Sequence, residues 1–575
     1  MLSPVLGIAG MLGGMRALGA VVLTACVLVG CGGPSADLVL RGGKVVTLDE
    51  AMPEAEAVAV VGDRIAAVGS DAEIERWIGA STEVIDLEGR LAIPGFIEAH
   101  GHLMKIGRGA VNLPLAEAKS WDEIVGMVRR AADAAEPGRW IFGRGWHQDK
   151  WSSTPTPNVR GFPVHDELSR VAPDNPVHLR HASGHASVDN VRAMERVGIT
   201  AATPDPSGGE ILRRPDGTLA GVFLENAEDP FLGAYEADQE TEAEVRRLYE
   251  LGAKECLSKG VTSFHDAGVS FTDLDVLKRM ADDGNLGIRV YAMVDSDDPE
   301  LAAKLAEYRI VGRGDDRLTI RAVKAYIDGA LGSRGAWLLE PYADLPDSTG
   351  ETMHTPEEIA EVARLSADHG FQLCVHAIGD RGNREVLDVY ERILRERGDT
   401  AAPRWRVEHA QHLHPDDIPR FGELGVIAAM QPVHCTSDGP WVPDRIGAGR
   451  AEEGAYVWRD LLDSGAVIAI GTDAPVENVD PIRNFHAAVT RRFANGTEFH
   501  PEQRMSREEA LRAYTVDAAY AAFEEEIKGT LAPGRLADMV VVSKDILTVP
   551  DHEILDTEVL YTILSGKVVH PPPTP

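Results

Sequence analysis

The chain is short of positive charge: 57 lysines and arginines stand against 91 aspartates and glutamates, a formal net charge of −34. Nucleic acid needs a basic surface, so that class of partner is excluded. The acidic excess otherwise describes a soluble, self-repelling surface. Cysteine is scarce too: Cys26, Cys31, Cys256, Cys374 and Cys435 are all there are. Their irregular spacing is no disulfide framework, and Cys374 and Cys435 sit in apolar strand contexts that suit small core residues. Residues 17–30 form an apolar run, but it falls short of the roughly 20 residues a spanning helix needs. What is present is globular. Hydrophobic residues make up 44% and charged residues 26% of 575 positions, which suits a folded chain of two or three domains.

The run at 17–30 follows Arg16 and reads as the apolar region of an export signal. It ends Leu28-Val29-Gly30-Cys31 before Gly32-Gly33-Pro34-Ser35, which resembles the bacterial lipobox. Residues 1–31 are therefore expected to be a lipoprotein signal peptide, with Cys31 lipidated and 32–36 as linker. Leu23-Thr24-Ala25-Cys26 is a second candidate box, and an uncleaved anchor helix is the alternative. The expected location is the cell envelope, exported and held to the membrane by a lipid anchor.

Residues 37–90 alternate in short strands separated by turns at Gly42-Gly43 and Gly62-Asp63, and 527–575 have the same character. Like segments flanking a different middle predict one small β-sandwich domain built from both chain ends. The middle, 91–526, alternates apolar strands with helical patterns. Eight strands are expected at 91–96, 261–265, 288–293, 319–325, 372–376, 406–409, 426–430 and 467–471, with helical spacing between them at 242–258, 355–368, 383–397 and 506–523. Eight β/α units predict an α/β fold, a TIM (β/α)8 barrel, with its site at the C-terminal strand ends; a doubly wound sheet is the alternative. Residues 113–226 are far longer than a βα connection needs. They are read as an inserted subdomain over the barrel mouth.

The strand ends carry the chemistry. Strand one ends Ala99-His100-Gly101-His102, strand five Val375-His376, strand six Glu408-His409 and strand eight Gly471-Thr472-Asp473, while strand four carries Lys324. Neutral imidazoles and carboxylates converging on one rim are what a divalent metal requires. An ammonium is no ligand. A buried lysine beside a dication has a depressed pKa, however, and its amine can take up CO2 as a carbamate that bridges two ions. The competing reading pairs Lys324 with an acid such as Asp328.

The ordered series of motifs resembles the metal-dependent amidohydrolase superfamily, and within it the YtcJ-like amidohydrolase 3 group that includes N-substituted formamide deformylase. It comprises residues 94–102 and 143–151, Arg180-His181-Ala182-Ser183-Gly184-His185, Asp328-Gly329-Ala330-Leu331-Gly332-Ser333-Arg334, and His376-Ala377-Ile378-Gly379-Asp380. Glu408-His409, Gly471-Thr472-Asp473-Ala474-Pro475, and 529–534 with Ala537-Asp538 complete it. The resemblance implies zinc or a similar divalent metal, one ion or two. His100 and His102 would hold one ion, with Lys324 as a carbamate bridge, His376 and His409 as further ligands, and Asp473 as ligand and proton shuttle.

Further candidates are less constrained. His185, His434, Asp438 and Arg381 are placed toward substrate, Arg381 with an ion pair to Asp380 as its alternative. Asp266 is assigned to orient a ligand imidazole, His147 to the pocket wall, and Glu98 to a structural role; His412 is expected off the metal. The expected activity is hydrolysis of a C–N bond in a linear or N-substituted amide. Attack on a cyclic amide or amidine is one alternative, and a non-catalytic binding lipoprotein the other. The expected partners are a small-molecule substrate and the membrane, and homodimerisation is left open.

Overall fold

The computed structural model describes residues 35–116, 118–148, 151, 153–182, 186–206, 209–239, 241–398 and 403–570. Cys31 and the signal segment lie outside the described residues, as does His185. Among the described residues no helix is long and apolar enough to cross a membrane.

Eight parallel strands pair in chain order: Phe96–Gly101, Val261–Val269, Arg289–Asp295, Leu318–Tyr326, Gln372–Ala377, Arg406–His409, Ile427–Met430 and Ile468–Ile470. The barrel closes where the eighth strand runs out against the first. The amide of Asp473 donates to the His100 carbonyl (2.9 Å) and that of His102 to the Ala474 carbonyl (2.8 Å). Only glycine fits at 471, because a Cβ there would lie 2.5 Å from Glu98 Oε1 and 2.6 Å from the His100 nitrogen. Small apolar side chains such as Ala99, Ile427 and Ala469 fill one part of the interior, and Tyr291, Met293 and Ala322 another. Residues on the other strand faces, such as Val290, Val323 and Val375, join the large core shared with the helices.

The helices start where their caps say they should. Thr355 and Glu358 form a reciprocal capping box ahead of Pro356–Asp368, with Pro356 in its first turn. The helix expected over 506–523 is broken in two, Arg507–Ala513 and Val516–Ala521. At the break the Tyr514 carbonyl accepts the amide of Ile97 (2.8 Å), so a barrel strand takes an acceptor that the helix would have used.

The strand expected over 91–96 is also divided. Leu91–Pro94 pairs with Met539–Val542 and Lys44–Val46, and the barrel strand starts at Phe96. The chain switches sheets at Gly95, where a Cβ would lie 2.3 Å from Thr262 Oγ1. The chain ends form a four-stranded and a six-stranded sheet. Leu40, Val58 and Ile85 of one sheet share a core with Ala92, Val541 and Ile563 of the other. Between the first and second barrel strands, a six-stranded sheet runs from Leu113–Pro114 to Leu219–Glu225. It has its own core around Trp146, Leu179, Val188 and Val222.

Candidate metal centre

Three imidazoles converge because each has one ring nitrogen occupied by a protein acceptor. His102 Nδ1 donates to the Ala267 carbonyl at 2.9 Å. His409 Nδ1 donates to Gln431 Oε1 at 2.7 Å, and the Gln431 amide is itself fixed by donating to the Ala429 carbonyl. His100 Nδ1 donates to Glu408 Oε2. Each Nε2 therefore keeps its lone pair, the form a metal binds. The Nε2 atoms of His100 and His102 lie 3.6 Å and 3.4 Å from one oxygen, Asp473 Oδ1. Ligand atoms of His100, His409 and Asp473 all fall within 4.8 Å of one another.

Asp473 Oδ1 is buried and among the described residues has no hydrogen-bond partner. Burial works to raise its carboxyl, but the surrounding histidines outweigh burial and hold it well below the carboxylate range. Burial holds His100 below the usual imidazole value, His409 down at about 3 and His376 well below normal, which favours the neutral form of each ring. A lone buried carboxylate oxygen amid neutral imidazole nitrogens is a donor set that fits a divalent cation. The backbone is unusual at the same points. His409 and Asp473 both occupy the left-handed region, at φ 76° and 57°, where non-glycine residues are uncommon and cluster at functional sites.

His376 packs against His409 with ring centroids 4.5 Å apart. Its Nε2 lies 3.6 Å from Asp328 Oδ1 and is buried without a hydrogen-bond partner among the described residues. Lys324 is buried, and among the described residues it has no ion pair; its Nζ lies 4.0 Å from the centroid of the Tyr326 ring. Burial pushes its ammonium down to about 8, against the pull of Glu408 and Asp473. The pairing of Lys324 with Asp328 does not occur. Asp328 instead accepts the amides of Trp337, Ile378 and Gly379 at 2.8–2.9 Å.

Some expected contacts are made differently. Asp266 orients no imidazole: it accepts the Leu103 amide at 2.9 Å, at the start of the helix after His102, and the next residue's carbonyl does the orienting. Arg381 pairs not with Asp380 but with Glu385 one helical turn on, at 2.7 Å, on a side chain 42% exposed. Asp380 accepts the Leu339 amide. Asp438 accepts from Tyr456 and Gln411. His434 is buried and lies nearly parallel to His409 with centroids 6.3 Å apart, at the edge of the cluster. Glu98 accepts the Thr472 amide and is pushed up to about 8 by burial. His412 is buried with neither ring nitrogen bonded. The His147 ring lies 4.6 Å from that of His181 in the insert.

Sequence reasoning missed what stands behind the ligands. Arg406 grips Glu408 with two hydrogen bonds, Nε to Oε1 at 2.7 Å and Nη2 to Oε2 at 2.9 Å; it also donates to the Ala99 carbonyl and contacts His265 Nδ1. Arginine and glutamate are both fully buried. Strand alternation puts neighbours such as Glu408 and His409 on opposite faces. The positive φ at His409 breaks that alternation, so both side chains reach the centre.

The model of an amidohydrolase family matches residues 83–570. Protein LONG AFTER FAR-RED 3 of Arabidopsis thaliana is 33% identical over 93% of this chain and 92% of its own length. The putative amidohydrolase YtcJ of Bacillus subtilis is 30% identical over 92% and 98%. N-substituted formamide deformylase of Arthrobacter pascens is 27% identical over 92% and 97%. Among solved structures, an uncharacterized metal-dependent hydrolase from Pyrococcus furiosus superposes with a TM-score of 0.70 at 29% identity, covering 89% of this chain and all of that one. With a buried centre of histidines and an aspartate at the strand ends of a TIM-like barrel, this chain belongs to the amidohydrolase family and is a metal-dependent hydrolase.

Proposed function

We propose that the protein hydrolyses the C–N bond of a linear or N-substituted amide, with zinc or a similar divalent ion held by His100, His102, His376, His409 and Asp473. The observation that carries this is Asp473 Oδ1, an ionised, buried, unpartnered oxygen within reach of two imidazole nitrogens. The likeness to N-substituted formamide deformylase supports the substrate class. When bound, the metal lowers the pKa of water and polarises the scissile carbonyl. Asp473 then orients the attacking water, takes its proton and delivers it to the leaving amine. Gln431, the Ala267 carbonyl and Glu408 keep the imidazoles in the right tautomer throughout. Lys324, buried and without an ion pair, is placed to carry a carbamate as a further anionic donor.

An N-formyl and N-acyl amine panel, run on the zinc-loaded protein and on Asp473→Asn, tests the reading. Turnover of at least one panel member that is lost in the variant is expected; equal rates would refute the shuttle. Less than one equivalent of bound metal, with no hydrolysis on adding zinc or manganese, would overturn the metal chemistry. Lys324→Met should lower the metal equivalents bound, and unchanged content would remove the carbamate. Lipidation at Cys31 and export to the envelope belong to the same reading. Labelled fatty acid should be incorporated by the wild type and lost in Cys31→Ser.

A further inference from the structure

The metal centre occupies the C-terminal end of the barrel. At the other end, where the fourth to sixth strands begin, lies a separate cavity of about 210 Å³. That volume is several times the roughly 30 Å³ share of a water molecule. Arg321 of the fourth strand, Arg309 and Arg397 line it beside Gln372, Trp405 and Phe523, and among the described residues no carboxylate does. In a chain with 91 acidic residues against 57 basic ones, three arginines lining one cavity stand out; among the described residues Arg397 is paired with Asp368, while Arg321 and Arg309 have no ion pair.

Among the described residues, two buried donors there have no protein acceptor. Arg321 has no ion pair and no hydrogen bond among the described residues; its Nε is buried without an acceptor, and its guanidinium stacks on the Phe523 ring at 3.7 Å. Arg404 stacks on the same ring at 4.7 Å, but its charge is already matched by Glu525. Burial lowers the Arg321 pKa, with Arg309 and Arg404 adding to the effect and Tyr291 and Glu524 working against it. Trp405 is 1% exposed, and its Nε1–H also lacks an acceptor. Among the described residues Arg309 donates only to the Gly370 carbonyl, and Arg397 to Asp368 and the Ala367 carbonyl. Among the described lining residues the only side-chain acceptor, Gln372 Oε1, already takes the Tyr291 hydroxyl.

We propose that this cavity binds a small oxyanion, a phosphate or carboxylate group whose short apolar body rests on Phe523 and Leu394. The lining offers donors and positive charge, so its ligand must offer acceptors and negative charge. Guanidinium groups match the paired oxygens of either head group. The site lies away from the strand ends that do chemistry, on the barrel face associated with stability rather than catalysis. It is therefore a binding site distinct from that for substrate.

Titration calorimetry on the metal-loaded full chain, at constant ionic strength in chloride, tests it with inorganic phosphate and with benzoate as probes. Saturable binding of at least one probe is expected, with the stronger probe identifying the head group. Arg321→Gln should weaken that binding about tenfold or more, the usual scale for losing a charge-assisted bond. Arg309→Gln, on an exposed side chain, should weaken it too and keeps the test intact where Arg321→Gln does not fold. No saturable binding of either probe would overturn the proposal. So would binding kept unchanged by both variants, which would place the anion at the metal centre instead.

Discussion

Two buried arginine–carboxylate pairs hold this barrel, and they differ in what else the carboxylate does. At the junction with the β domain, Arg289 bonds Asp538 through Nε (2.6 Å) and Nη2 (3.0 Å), and Asp538 also accepts the Ser565 amide. The remaining Arg289 donors go to the carbonyls of Asp315 and Asp316 and to Ser565 Oγ. Nothing is left over, and every partner is part of the scaffold. Behind the metal centre, Arg406 holds Glu408 in the same two-pronged way, but Glu408 spends one oxygen on His100. The first pair is closed and joins two domains. The second is open on one side and passes its orientation to a ligand. Burial and charge alone do not separate the two; the third partner does.

The largest expected effect lies beyond both pairs. Asp473→Asn should lower kcat by roughly 10²–10⁴-fold, the range for losing a positioned acid–base group. It should leave the fold intact, because Oδ1 has no protein hydrogen bond to lose. Steady-state kinetics with circular dichroism checks both halves. Breaking the closed pair comes next. Arg289→Met strands Asp538 in the interior, at a cost of about 3–5 kcal/mol. Its signature is early unfolding in urea, with faster hydrogen exchange in the strand Met539–Val542, while metal affinity stays at the wild-type value. A fall in metal affinity there would erase the distinction drawn between the pairs.

Breaking the open pair should give the reverse pattern. Glu408→Gln keeps the shape and one acceptor for His100 but loses the charge. Outer partners of metal-bound imidazoles are typically worth 10–100-fold in affinity, so chelator competition should show a loss of that order. Exchange in Met539–Val542 should not change. If Glu408→Gln bound metal as the wild type does, Glu408 would be merely a counter-ion for Arg406.

The difference between the pairs also explains what could be read from the sequence. The barrel, its eight strands and the candidate ligands were legible because strand ends such as Ala99-His100-Gly101-His102 and Gly471-Thr472-Asp473 are local patterns with a known direction. The insert was legible from its length. The closed pair was not, since its partners lie far apart in the chain: Asp538 is 249 residues from Arg289. Gln431 stands 22 residues from His409, after the next strand, while Arg406 is only two residues from Glu408. Glu408 was hidden by a local exception to alternation at His409. The barrel's first strand was extended too far back because residues 91–94 are as apolar as those that follow. Only pairing with Met539–Val542 shows that they belong to another sheet.

His412 supplies the smallest effect, one that vanishes at neutral pH. Like Asp473 Oδ1, its two ring nitrogens are buried and have no hydrogen-bond partner among the described residues, but it lies outside the metal cluster. Burial, helped by the charge of Arg450, lowers its pKa from 6.5 to about 3. The unfolded chain therefore binds a proton at this position below pH 6.5 that the folded chain refuses until about pH 3. Stability follows the excess of protons bound by the unfolded state, so this residue contributes nothing above pH 6.5 and lowers stability progressively as pH falls through the window to 3. His412→Phe keeps an aromatic ring against Tyr456 and removes the titration. Its unfolding midpoint in urea should fall less steeply than that of the wild type between pH 6.5 and 5, with the difference between the two curves changing in that window alone. Parallel curves would mean that His412 exchanges its proton in the folded state, and it would then belong with the partnered groups.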